Sequence, residues 1–299
     1  MSKIPTNITL TVADYFVKIY TEENLPIYFE EGYAHFVQLE EVDHYDAVVL
    51  CKSGLPNETE YSGEVIFDAV LDGNRLWQVI QTASGRAFVV FNPRNYKEIQ
   101  QVAFLSDDSK NWTIHSKLIT SEDASFLSPL TYPMGALVLY YLTVNSNAFM
   151  IHASGIWDGE TGRIFSGFSG VGKSTMAKLW EEEGAHVVND DRLIIREVNG
   201  EYFMYNTPMP YTDLNKQAQL NFCYFPFHSK KNSKEKLSGA QAISQLMAFC
   251  FQHNYDKRYT EHLMQQLETM CSLVPMTKLG VVPKPTVLDF IRSAEFYHE

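Results

Sequence analysis

The sequence predicts an α/β protein: a β-rich N-terminal domain followed by a C-terminal mixed sheet with helices. Three observations carry the expectation. Short β-branched and aromatic runs separated by turn residues fill the first ~125 positions. A strand, a glycine-rich turn and a helix follow one another around "GFSGVGKST" (Gly167 to Thr175). A second strand, "HVVND", comes directly after that helix. At 299 residues the chain is long enough for two domains with separate cores, expected at 1–125 and 126–299. Its 45% hydrophobic and 20% charged residues match a globular composition.

Ile8, Leu10 and Val12 alternate with threonines, as a half-buried strand requires. "DAVVLC", "EVIFDAVL", "RLWQVIQ" and "RAFVVFN" follow, with turns at "DGN" (Asp72 to Asn74) and "SGR" (Ser84 to Arg86); together they predict an antiparallel meander. His44 in "EVDHYD" reads as a surface histidine. The polar stretch Thr120 to Pro129 marks the domain boundary, and Met134 to Val144 reads as a buried helix. Phe149 to Asp158 reads as a strand that turns at "GETG" and returns through Arg163 to Gly167. A helix from Lys173 to Glu183 ends at Gly184 in a left-handed cap. "RLIIREV", "NGE" and "YFMYN" predict a hairpin. Two helical patterns (Ala240 to His253, Arg258 to Leu273) and a strand near Lys278 to Val282 complete the chain.

A formal net charge of -12 argues against a nucleic-acid surface, which needs a dense basic patch. The basic cluster "SKKNSKEK" (Ser229 to Lys236) includes a glutamate and reads as a solvated loop. No apolar run approaches the ~20 residues that span a bilayer, and the N-terminus lacks a signal-peptide pattern. Cys51, Cys223, Cys250 and Cys271 are widely spaced, which suggests reduced core thiols. A cytoplasmic protein with no membrane partner is therefore expected.

Gly167-x-x-x-x-Gly172-Lys173-Ser174 fits the Walker A pattern in full. Glycines let successive backbone N–H groups turn inward around phosphate oxygens. Lys173 adds a point charge near the β- and γ-phosphates, and the Ser174 hydroxyl suits Mg²⁺. The helix that starts here directs its positive end at the same oxygens. Gly167, Ser169, Gly170, Val171, Gly172, Lys173, Ser174 and Thr175 are the expected nucleotide cradle. ATP and Mg²⁺ are the expected cofactors.

Asp190 and Asp191 come seventeen residues after Lys173, where "HVVND" is expected to end beside the first strand. Neighbouring carboxylates on a strand face opposite ways, so one can reach a metal and the other a substrate. The plainer reading of "DDR" is a polar strand end with an Asp–Arg pair. For His152, a hairpin centred near Glu160 pairs positions whose numbers sum to about 320. Ile156 then faces Ile164, and His152 falls beside Phe168 at the loop's lip, suited to proton sharing.

A histidine, fifteen residues to the first glycine of "G-x-S-G-x-G-K-S", then seventeen from lysine to "D-D-R": this spacing resembles the kinase domain of HPr kinase/phosphorylase and its phosphoenolpyruvate carboxykinase-like relatives. The resemblance covers residues 148 to 197, about a sixth of the chain. "TYPMGALVLYYL" ahead of "MIHASGI" is similar to bacterial carboxykinase-like proteins with an added N-terminal domain. The resemblance implies a P-loop carboxykinase-like sheet and an ATP-dependent kinase acting on a hydroxyl of a small molecule, peptide or protein. Lys173 and Ser174 would bind phosphate and Mg²⁺, Asp190 would be the base, Asp191 would support the metal, and His152 would assist proton transfer. The sequence departs from such kinases in lacking their downstream glutamate ligand and the glycine- and arginine-bearing signature after it; "NTPMPYTD", with Asp213 a weak substitute, occupies that general region. Relatives of this kind often assemble, so a homo-oligomer is implied. A non-catalytic nucleotide-binding regulatory or scaffold protein is the alternative.

Overall fold

β-strands dominate both halves of the chain in the computed structural model, which describes residues 7–38, 40, 42–120, 124–209, 214 and 216–295. The chain divides into two units: Met1–Asn145 with Pro208–Leu214, and Ser146–Thr207 with Asn215–Glu299. No helix of the described residues is long and apolar enough to cross a membrane.

Among the described residues the first unit carries nine strands in one sheet: β1 (Asn7–Val12), β2 (Tyr15–Tyr20), β3 (Val37–Gln38), β4 (Ala47–Ser53), β5 (Glu64–Leu71), β6 (Asn74–Thr82), β7 (Gly85–Asn92), β8 (Asn95–Leu105) and β9 (Asn111–Ser116). Their order is β3-β1-β2-β4-β9-β8-β7-β6-β5. Strands β5 to β9 form the expected antiparallel meander. The sheet as a whole is mixed, because β4 pairs parallel with both β2 and β9. A small pair, β10 (Ile119–Thr120) and β11 (Ser125–Phe126), precedes helix α1 (Met134–Thr143). A boundary near residue 125 would give α1 to the second unit. Aromatic packing holds it in the first, with the Tyr141 ring 5.3 Å from Phe88 and 5.5 Å from Trp112.

The second unit's strands are β12 (Ala148–Trp157), β13 (Gly162–Ser166), β14 (His186–Val198), β15 (Glu201–Asn206), β16 (Gln217–Gln219), β17 (Phe222–His228), β18 (Ser233–Leu237) and β19 (Met276–Val281). They lie in the order β16-β15-β14-β12-β13-β17-β19-β18. The helices are α2 (Lys173–Glu182), α3 (Gly239–Met247), α4 (Lys257–Leu273) and α5 (Thr286–Glu295). Alternation along the strands divides the core between two faces. Ile156, Phe165 and Tyr224 pack against Met176 and Trp180 of α2 and Val287 of α5. Ile151, Ala153, Leu193 and Phe225 pack against Leu246 of α3 and Leu267 of α4.

Several local expectations change. The β12–β13 hairpin pairs Gly155 with Ile164 and Ile156 with Arg163, so paired numbers sum to 319. The Asp158 side chain sets this register by accepting from the Glu160 and Thr161 N–H groups, which leaves Trp157 opposite Gly162. "HVVNDDRLIIREV" is one continuous strand, so Asp190 and Asp191 lie mid-strand. β13 and β14 run in the same direction, but β12 lies between them, antiparallel to both. The helix expected to reach His253 ends at Met247, because the following residues bond to β12: His152 N–H donates to Phe249 O and Phe251 N–H to Met150 O. Half of the basic stretch expected as a loop is strand β18, paired with β19. Asp213 lies outside the described residues. All four cysteines are free; three are buried and Cys271 is half-buried.

Candidate functional site

β13 ends at Ser166 and α2 begins at Lys173, so the intervening residues form the phosphate-type loop. Glycine is required where the backbone is left-handed: Gly170 has φ +82 and Gly172 φ +106. A Cβ on either meets nothing within 4 Å, so both glycines border open space. Gly172 O accepts from the Met176 N–H, the first turn of α2. Ser169, Ser174 and Thr175 are exposed and Val171 is half-buried. Lys173 is buried; its Nζ donates to Gly167 O at 2.8 Å and Phe168 O at 3.2 Å. The loop's own carbonyls thus hold the ammonium inside it.

Asp190 and Asp191 are positioned by an interruption in the sheet. β15 stops at Asn206, opposite Leu193. Beyond that point the Asn189 side chain replaces the missing strand, accepting from Asp191 N–H at 2.9 Å and Arg192 N–H at 3.1 Å. Thr207 Oγ donates to Arg192 O at 3.0 Å. On the neighbouring strand Ser154 lies opposite Asp190, and its hydroxyl donates to Asp190 Oδ1.

His152 stands opposite Arg192, one residue beyond the last β12–β13 pair, so the corrected register still brings it to the base of the loop. Its Nδ1 lies 2.9 Å from the Asp191 carbonyl oxygen and 3.2 Å from Asp191 Oδ1. Both neighbours are acceptors, so this geometry assigns the proton of a neutral ring to Nδ1 and leaves Nε2 with the lone pair. Asp191 Oδ2 accepts from Arg192 Nε at 3.0 Å, the Asp–Arg pair that the plainer reading anticipates.

The hydrogen bond from His152, with the Arg192 guanidinium close by, holds the Asp191 carboxyl below its ordinary range. Burial lowers Lys173, and the charges of Asp190 and Asp191 oppose that effect. The ammonium and both carboxylates therefore share one electrostatic environment. Among the described residues no three His, Cys, Asp or Glu side chains form a metal cage. Mg²⁺ does not demand one: it uses one or two carboxylates with phosphate oxygens and waters. The Ser174 hydroxyl and the acidic pair offer hard oxygen donors of that kind.

Three contributors were hidden in the sequence. Asn189 reads there as one polar residue among several. Phe249 enters through the chain reversal after α3 and packs its ring 5.1 Å from Phe168. His228, at the end of β17, has Nε2 2.9 Å from Gly170 O. The apolar run "FCYFPF" was the available signal for β17, a parallel strand buried from Cys223 to Pro226.

No family model matches the chain, and no curated protein sequence matches it. Among solved structures, the Hpr(Ser) kinase/phosphatase from Coxiella burnetii is one of several that are similar; it matches over 50% of this chain and 97% of that chain, with a TM-score of 0.32 and 10% sequence identity. What the described residues define directly is a mixed α/β fold with two large mixed sheets and few helices.

Proposed function

We propose that this protein is an ATP-dependent phosphotransferase of P-loop carboxykinase-like type, cytoplasmic, transferring the γ-phosphoryl group to a hydroxyl of a small molecule, peptide or protein. The observation that carries the reading is the buried Lys173 ammonium, held by the Gly167 and Phe168 carbonyls inside a loop whose Gly170 and Gly172 are left-handed. Phosphoryl transfer needs little else from a protein than positioning and charge stabilisation. Gly167 to Thr175 cradle the phosphates and Lys173 balances their charge. Ser174 with Asp191 would hold Mg²⁺, which when bound neutralises phosphate charge.

Asp190 receives the proton of the acceptor hydroxyl as its oxygen bonds to the γ-phosphorus. The bond from that phosphorus to the β-phosphate oxygen breaks, and ADP leaves. His152 assists through Nε2, with Asp191 orienting the ring. A second reading is a non-catalytic nucleotide-binding regulator. It is favoured by the two oxygens of Asp191, which His152 and Arg192 already engage.

Incubation with Mg²⁺ and γ-labelled ATP, with and without candidate hydroxyl acceptors, separates the two. Asp190→Asn is expected to retain ATP binding and stop transfer. Binding with no transfer to any acceptor supports the regulator, and full activity in Asp190→Asn removes that residue as the base.

A further inference from the structure

The first half of "SKKNSKEK" is a built turn that directly follows His228, the residue of β17 in contact with the phosphate loop. β17 runs parallel to β13, so both strands deliver their carboxyl ends to one edge of the sheet. The contact between His228 and Gly170 O ties the end of β17 to the loop's tip. Ser229 N–H donates to Val281 O at 3.1 Å, and Lys231 N–H to Ser229 Oγ at 3.4 Å. Asn232 Oδ1 accepts from Val282 N–H at 2.8 Å. These contacts seat the turn across the end of β19, where it carries the chain from β17 to β18. Lys230 and Lys231 project from it exposed, and neither forms an ion pair among the described residues. In a chain of net charge -12 this is a local positive site with no internal partner to account for it.

Sheet order gives the phosphate loop two different flanks. β12 and β14, with His152, Asp190 and Asp191, lie on one side of β13; β17 lies on the other. In-line displacement puts the attacking hydroxyl and the leaving diphosphate on opposite sides of the transferred phosphorus. If the acidic flank receives the hydroxyl, the basic flank faces the leaving group. We propose that the turn at 229–232 is a second phosphate subsite, in which Lys230 and Lys231 bind the donor's polyphosphate on the leaving-group side. They neutralise the charge that grows on the β-phosphate as its bond to the γ-phosphorus breaks. This inference rests on the phosphotransferase reading above.

Titration calorimetry with ATP, ADP and inorganic tripolyphosphate tests it, using the full chain and the Lys230→Gln/Lys231→Gln double variant. The control is Lys236→Gln, the same charge change on exposed strand β18 opposite Thr277. Two lost charge-assisted contacts should weaken all three ligands about tenfold, and the control should leave them unchanged. Double-variant affinities within about twofold of wild type, or an equal loss in Lys236→Gln, would overturn the subsite. Wild type that binds none of the three overturns the parent reading as well. Wild-type binding matched by the double variant overturns the subsite alone.

Discussion

Asn189 does by one side chain what a missing strand would do by backbone, accepting from the N–H groups of both Asp191 and Arg192. An alanine there leaves two N–H groups without that acceptor in a poorly exposed stretch. Asn189→Ala should lower stability by about 1–3 kcal/mol. It should also reduce transfer while sparing ATP affinity, because the phosphate loop is built from other residues. Urea unfolding paired with ATP titration checks both halves; a loss of ATP affinity equal to the loss of transfer would contradict the separation. Asp191 makes a second prediction. Its carboxyl is held below the ordinary value of 3.8 by the His152 hydrogen bond and Arg192. A depressed folded-state pKa contributes stability that is present above the unfolded value and lost as pH falls through the folded one. The stability gap between wild type and Asp191→Asn should therefore be fully present near neutrality and close below about pH 4. Thermal unfolding from pH 3 to pH 7 reads this directly, and a constant gap would mean the ionised form is not favoured. Asp190, Asp191 and His152 were legible as residues of interest because their types and spacings carry chemistry. Ser154 and Phe249 were not, because their roles arise only from segments that meet at a distance; Asn189 was not, because its local bonds to the next N–H groups leave no mark beyond one polar residue among several.

β13 sets where the phosphate loop starts, and Gly162 sets where β13 starts. Its N–H donates to Asn221 Oδ1 at 2.8 Å, and its carbonyl accepts from Asn221 N–H at 2.8 Å. A Cβ on Gly162 would collide with the Gln219 carbonyl oxygen, which is backbone and cannot rotate away. Gly162→Ala should destabilise the second unit by about 1–3 kcal/mol, as overpacking against a rigid neighbour does. A denaturation midpoint unchanged from wild type would show that the segment yields freely. At this scale the sequence identified β12, β13, α2 and α4 from periodicity and turn residues. It did not reveal that β12 separates β13 from β14, since pairing partners across long separations leave no local pattern. The break after Met247 was equally hidden. "QLMAFCFQH" continues a plausible apolar helix, and only the bonds to β12 make extension the better conformation there.

Among the described residues, a nine-stranded mixed sheet and an eight-stranded mixed sheet form the two units, each sheet in its own unit. Composition and length were enough to anticipate two β-containing units. The parallel strands of the first were not legible, because β4 carries the same alternation whichever direction its neighbours run. The second unit holds the phosphate loop, the acidic pair, His152 and the basic turn within one sheet, so its nucleotide chemistry is expected to depend on residues of that unit. The most direct measurement is equilibrium binding of Mg²⁺-ATP to the wild-type chain and to Lys173→Ala. Saturable wild-type binding that the substitution abolishes, with the fold retained by circular dichroism, is the predicted result. No binding to wild type, or equal binding to both, would contradict a nucleotide site at this loop.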